Sequence, residues 1–168
     1  MRRTAAIVVA GCGALVACAP GVATPAGTAT VTTVIDGDTI VVRVQGRTEH
    51  VRLVGIDTPE SVDPRRPMMC FGREASAETA RLLPRGTTVR LERDVEARDS
   101  YGRLLAYVYR ASDRMFVNLS LARAGFADVL SIPPNTAHAD EIRAAVDDAR
   151  AAGRGLWGAC GWFGQPAG

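Results

Sequence analysis

Two β-branched runs, residues 30–35 and 39–44, flank the short acidic turn Asp36-Gly37-Asp38. Strands of that texture around so tight a turn read as an antiparallel hairpin. Gln45-Gly46 turns the chain again, and residues 48–56 read as a third strand that Pro59 ends. A meander this early argues against a split parallel sheet, in which crossovers would separate the strands. After a polar, proline-bearing loop at 61–67, residues 72–83 favour a helix with Pro84 as its stop. Residues 87–92 and 103–110 read as strands. Residues 116–124 and 137–152 read as helices closed by Gly125 and Gly153. Three short strands, a helix, two strands and two helices predict an α+β protein: a five-stranded OB-fold β-barrel with three α-helices.

The length of 168 residues suits one domain. Its start has a different character. Arg2 and Arg3 precede a short apolar run over 5–16, too short to span a membrane as a helix. The run ends in Leu15-Val16-Ala17-Cys18, which resembles a bacterial lipobox with lipidation at Cys18. An ordinary secretory signal cut near Ala19 or Ala26 is the alternative. The expected organisation is a signal peptide over 1–17, a flexible tether over 18–29 rich in small residues and breakers, the barrel domain over 30–160 and a tail over 161–168. The protein would then be exported and held on the outer face of the cell membrane, or else secreted. Cys70 and Cys160 would lie in its exported part, where a disulfide can form; two unpaired thiols are the alternative. The formal net charge is +2, and removing residues 1–17 takes two arginines away, so any attraction for a polyanion must be local.

Three phrases carry the chemistry. In the first, Asp38 follows Asp36-Gly37, a pairing that by itself makes a turn and lacks the remaining ligands of an EF-hand loop. In the second, Asp57-Thr58-Pro59-Glu60, proline keeps Thr58 extended, so its carbonyl can lie beside the Asp57 carboxylate. Calcium takes carboxylate and carbonyl oxygens and fills other positions with water. Arg52 lies among the apolar residues just upstream, where a buried charge needs a partner. In the third, Asp99-Ser100-Tyr101-Gly102-Arg103, Arg103 stands at the head of a strand. Each phrase has a bland reading as a turn or a solvated charge. Together they supply hard oxygen ligands, a carboxylate base and two guanidinium groups, the parts needed to cleave a phosphate ester.

From about residue 30 to 157 the chain resembles the staphylococcal nuclease family. Beyond the site, the resemblance includes Cys70-Phe71-Gly72-Arg73-Glu74-Ala75-Ser76, the run 101–109, Val117-Asn118, Ala124-Gly125 and Gly155-Leu156-Trp157. It implies an OB barrel with three helices and calcium held by the carboxylates of Asp38 and Asp57 and the carbonyl of Thr58. It further implies catalytic roles for Arg52, Glu60 and Arg103, and cleavage of DNA and RNA that leaves 3′-phosphate ends. Tyr101 is the aromatic placed to contact a sugar or stack on a base. The family's type member carries two tyrosines in the loop before the last helix; residues 128–135 here contain none. Its lysine-rich surface is also absent, so backbone attraction would fall to Arg65, Arg66 and Arg98. The expected molecule is a monomeric, calcium-dependent endonuclease. The alternatives are an OB module that binds nucleic acid without cutting it and a lipoprotein whose barrel binds another protein. His50 and His138 lack metal-ligand spacing and read as surface or capping groups. Trp157, Trp162 and Phe163 read as core and a C-terminal hydrophobic lid.

Overall fold

The structure, a computed structural model, describes residues 27–61 and 67–167. The segment read as a signal peptide, Cys18, Arg65 and Arg66 lie outside the described residues. Among those described, no helix is long and apolar enough to cross a membrane.

Five strands close into a barrel: β1 (Thr28–Asp36), β2 (Thr39–Val44), β3 (Arg47–Leu53), β5 (Thr88–Glu92) and β6 (Leu104–Arg110). Four of the five seams are antiparallel, and the parallel pairing of β3 with β6 completes the closure. Closure leaves the barrel no free sheet edge. Helix α1 (Gly72–Leu82) lies between β3 and β5 in the chain. α2 (Val117–Arg123) and α3 (Ala139–Ala151) follow β6, and the single turn α4 (Leu156–Ala159) comes last. Ile40, Val42, Val51, Leu53, Val89 and Val108 fill the interior, as alternation along the strands requires. Ile142, Ala145, Val146 and Ala149 give α3 one apolar stripe at helical spacing, and it is buried against the same core. The barrel with its helices is the α+β OB fold that the element order predicts.

Three boundaries differ from the sequence reading, each for a local reason. Strand β1 begins at Thr28, within the stretch read as tether, because Ala29 is fully buried and pairs with Val89. The third strand is not continuous to Ile56. Gly55 adopts φ +85°, and a Cβ there would stand 2.6 Å from Cδ1 of Ile142. The chain therefore leaves the barrel and forms β4 (Gly55–Asp57), which pairs with β7 (Asp128–Leu130) in a separate two-stranded sheet. The last long helix starts at Ala139, behind His138, whose ring contacts the carboxylates of Glu92 and Glu141.

The C-terminus is tied back to the domain. Cys70 and Cys160 form a disulfide with a Cα–Cα distance of 6.1 Å. Residues 161–167 continue beyond it, and Gln165, Pro166 and Ala167 pair with Met68, Met69 and Cys70 rather than forming the hydrophobic lid expected there. Trp162 stays 59% exposed.

Asn118 is the polar joint of the core. Its Oδ1 accepts from the amide of Val108 at 3.0 Å, and its Nδ2 donates to the carbonyl of Val54 at 2.8 Å. It thereby fastens α2 to β6 and to the point where β3 gives way to β4. Asn118→Leu keeps the volume but leaves two buried backbone groups unpaired, at about 1–3 kcal/mol each. Urea unfolding should show a midpoint lowered by a loss of about 2–6 kcal/mol with an unchanged slope.

Candidate active site

Asp38 closes the β1–β2 turn and is only 7% exposed. Oδ1 accepts from the hydroxyl of Thr39 at 3.0 Å. Oδ2 accepts from the amide and the hydroxyl of Thr58, at 3.0 and 3.1 Å. The two segments can approach this closely because residue 37 is glycine: a Cβ there would lie 2.7 Å from Oγ1 of Thr58. The hydroxyl of Thr79 on α1 locks the same turn by donating to the carbonyl of Gly37 at 2.5 Å.

Arg52 joins the two acids. Nη1 lies 2.9 Å from Oδ2 of Asp38, and Nη2 donates to Oδ1 of Asp57 at 2.8 Å. Nη1 also reaches the carbonyls of Leu53 and Ile56, at 3.2 and 3.0 Å. These carbonyls are available because the ladder breaks at Val54 and Gly55. Two carboxylates beside one guanidinium leave the cluster with an excess of negative charge. Burial, with the neighbouring Asp38 and Asp128, raises the Asp57 carboxyl above its ordinary range, although Arg52 pulls it down.

Arg103 stands just ahead of β6 and is oriented by Asp99. Its amide donates to Oδ1 of Asp99 at 2.9 Å, and its Nε donates to Oδ2 at 2.7 Å. Burial of Asp99 raises its proton affinity, but the bonds from Arg103 and from the Tyr101 amide outweigh that and hold it below the usual carboxylate range. The guanidinium lies 5.5 Å from the centre of the Tyr101 ring, which is 84% exposed. Arg52, Arg103 and Tyr101 line one cleft of about 380 Å³, together with Leu130, Ile132 and Asn135. The Asn135 side chain is consumed by the backbone of Glu96, donating to its carbonyl and accepting from its amide. Leu130 and Ile132 therefore give this side of the cleft an exposed aliphatic wall.

The structure thus draws Asp38, Arg52, Asp57 and Thr58 into one knot and sets Arg103 and Tyr101 with Arg52 along one cleft. Glu60 is not among the lining residues of that cleft; it follows two residues after Thr58. Its Oε1 accepts from the Ser61 amide at 3.0 Å. Ser61 is held in turn, because its hydroxyl and that of Ser76 both donate to Oδ1 of Asp36 at 2.7 Å. Arg98, expected to face a polyanion, is instead forked onto Glu49 at 2.9 and 3.0 Å.

Sequence reading missed the supports. The sequence presents Asp36 as part of a turn and Asp99 only as the start of the phrase that carries Arg103; neither Ser61 nor Ser76 is assigned a role by it. A clue was present at Asp99, an aspartate ahead of Tyr101-Gly102 whose carboxylate accepts the following amides as turn aspartates do.

The donor set at the knot is all hard oxygen. Among the described residues, no group of three or more histidine, cysteine or acidic side chains is arranged to hold a metal. A cation here would rest on the two carboxylates, a backbone carbonyl and water, which suits calcium.

The fold and the knot define this chain as an α+β protein whose closed OB barrel carries a carboxylate–guanidinium site at its rim. The family model described as "Staphylococcal nuclease homologue" matches residues 50–159. Over 124 residues the chain is 44% identical to the thermonuclease of Staphylococcus intermedius, covering 74% of this chain and 72% of that one. The thermonuclease of Staphylococcus hyicus is 41% identical with the same coverage. Endonuclease YncB of Bacillus subtilis (strain 168) is 37% identical over 130 residues, covering 76% of this chain and 60% of that one. The chain belongs to the staphylococcal nuclease family.

A carboxyl whose proton affinity is raised by folding favours the folded state when protonated, and that contribution is lost as pH rises through its folded pKa. Without calcium, Asp57→Asn should therefore melt higher than the wild type at pH 7. The gap should close below the ordinary carboxylate value of 3.8, where both side chains are neutral. Added calcium should raise the wild-type Tm and leave that of the variant unchanged. Thermal melts across pH in chelator and in calcium measure both effects.

Proposed function

We propose that this protein is a calcium-dependent endonuclease that hydrolyses phosphodiester bonds of DNA and RNA. The observation that carries the reading is the convergence of two guanidinium groups, Arg52 and Arg103, on one cleft, with Arg52 also forked onto the Asp38–Asp57 pair. Membership of a family whose relatives include a thermonuclease and an endonuclease supports it.

Asp38, Asp57 and the carbonyl of Thr58 would hold the metal. When bound, calcium supplies charge neutralisation and Lewis acidity at a phosphoryl oxygen. The remaining work falls to this chain's own residues. Arg52 turns its fork from the carboxylates towards a phosphoryl oxygen as negative charge grows there. Arg103, pre-aimed by Asp99, donates from the other side of the cleft. Glu60 accepts a proton from the attacking water, or orients it, with its backbone held by Ser61 on Asp36 and Ser76. Tyr101 contacts the sugar or stacks on a base. The family resemblance supports release of the 5′-oxygen and 3′-phosphate ends.

The protein acts outside the cell as a monomer. Its apolar start and the Leu15-Val16-Ala17-Cys18 phrase support a diacylglyceryl anchor on Cys18, with release as a secreted nuclease as the alternative processing.

Cleavage of denatured DNA should stop in excess chelator and return with calcium. Glu60→Gln should keep the Tm and nucleotide affinity of the wild type while turnover falls on the order of 10²–10⁴-fold. Binding without cleavage by the wild type in calcium would favour the non-catalytic OB module. Mass spectrometry of the exported protein should find the lipid on an N-terminal Cys18. Cys18→Ser should move the activity from the membrane fraction to the medium, and a mature start downstream at Ala26 or beyond would refute the anchor.

A further inference from the structure

We infer that the C-terminal tail, residues 161–167, is a positioning element for Glu60; the inference rests on the role proposed for Glu60 above. The tail runs antiparallel to residues 68–70. Cys70 donates its amide to the carbonyl of Gln165 at 2.7 Å, Ala167 donates to the carbonyl of Met68 at 2.8 Å, and Met69 bridges Pro166 between them. Alternation along an extended segment sends successive amides to opposite sides. The Met69 amide accordingly points away from the tail, and it donates to the carbonyl of Glu60 at 2.9 Å. Residues 68–70 are thus a strap with the tail on one edge and the Glu60 backbone on the other.

Glu60 has little room to shift against the strap. Gly72 packs on its carbonyl so closely that a Cβ there would stand 2.6 Å from the oxygen. On its other side, Ser61 is bound to Asp36 and Ser76. The tail itself is folded into a fixed turn. The amide of Gly161 donates to the side-chain oxygen Oε1 of Gln165 at 2.6 Å, and the disulfide anchors its root.

Core packing does not account for the tail. None of residues 161–167 is buried, and Trp162 faces solvent. What the tail supplies is a row of backbone bonds to the strap that holds the proposed base. Misplacement of a catalytic group by about 1 Å can cost up to about 10² in rate, whereas an exposed terminal segment contributes little to global stability.

The test is a chain ending at Gly161, which keeps the disulfide and removes the strand, compared with the full chain and with Gln165→Ala and Gln165→Glu. Turnover of denatured DNA in saturating calcium should fall about tenfold in the truncated chain, with KM within about twofold and Tm nearly unchanged. Hydrogen exchange of the Met69 amide should speed up alongside. Gln165→Ala should show an intermediate loss, and Gln165→Glu, which retains the acceptor oxygen, should match the wild type. Unchanged kcat in the truncated chain overturns the inference, as does a fall no larger than its unfolded fraction at the assay temperature. If the full chain cuts nothing, the proposed function fails separately. Exchange at Met69 then decides alone whether the tail fixes the backbone of Glu60: faster exchange supports the coupling and unchanged exchange overturns it.

Discussion

One guanidinium holds the site and the fold together. Arg52 sits in β3, between Thr39 of β2 and Leu105 of β6, and its fork bridges Asp38 and Asp57. A charge this far from water survives only with partners. The same fork satisfies the carbonyls of Leu53 and Ile56, freed where the barrel strand gives way to β4. The break in the ladder and the charge cluster are therefore one device. It ties the charged groups of the site to the barrel wall and sets one positive fork between the two carboxylates.

The two arginines are prepared differently. Arg52 is held by four acceptors within the barrel wall, whereas Arg103 depends on a single carboxylate, Asp99, at the end of a loop. Preorganisation of a donor lowers the cost of aiming it at charge that develops during reaction. In the proposed mechanism Arg52 would exchange some of its carboxylate contacts, whereas Arg103 already lines the cleft beside Tyr101. The aliphatic wall of Leu130 and Ile132 and the self-satisfied Asn135 leave that cleft with apolar surface for a base and few polar groups to read its edges. Attraction for a polyanion must also be local, since Arg98 is spent on Glu49.

Much of this was legible in the chain because it rests on local chemistry. Asp-Gly and Gln-Gly turns, β-branched strands, Pro59, Pro84 and the glycines after two helices mark the elements, and their order alone points to an OB barrel. The acids and arginines are visible as residue types at turns and strand ends, and the family resemblance assigns them to one site. Local chemistry could not announce the interruption at Gly55. That break arises because Ile142, far along the chain, occupies the space a side chain would need. The β4–β7 sheet follows from it, since three-residue strands carry no periodicity to detect.

Tertiary structure alone decided which groups meet. Asp36 with Ser61 and Ser76, Asp99 with Arg103, and the tail with residues 68–70 are hydrogen-bonded pairings, and such partners leave no composition or spacing signature when they are distant in sequence. Apolar pattern specifies how a chain collapses, because burial is additive along each element. Directional bonds between elements exist only once the collapse has fixed distance and angle. The sequence by itself therefore determined the barrel, its helices and the chemical parts of the site. The folded structure determined how Arg52 is shared between two carboxylates and which backbone holds Glu60.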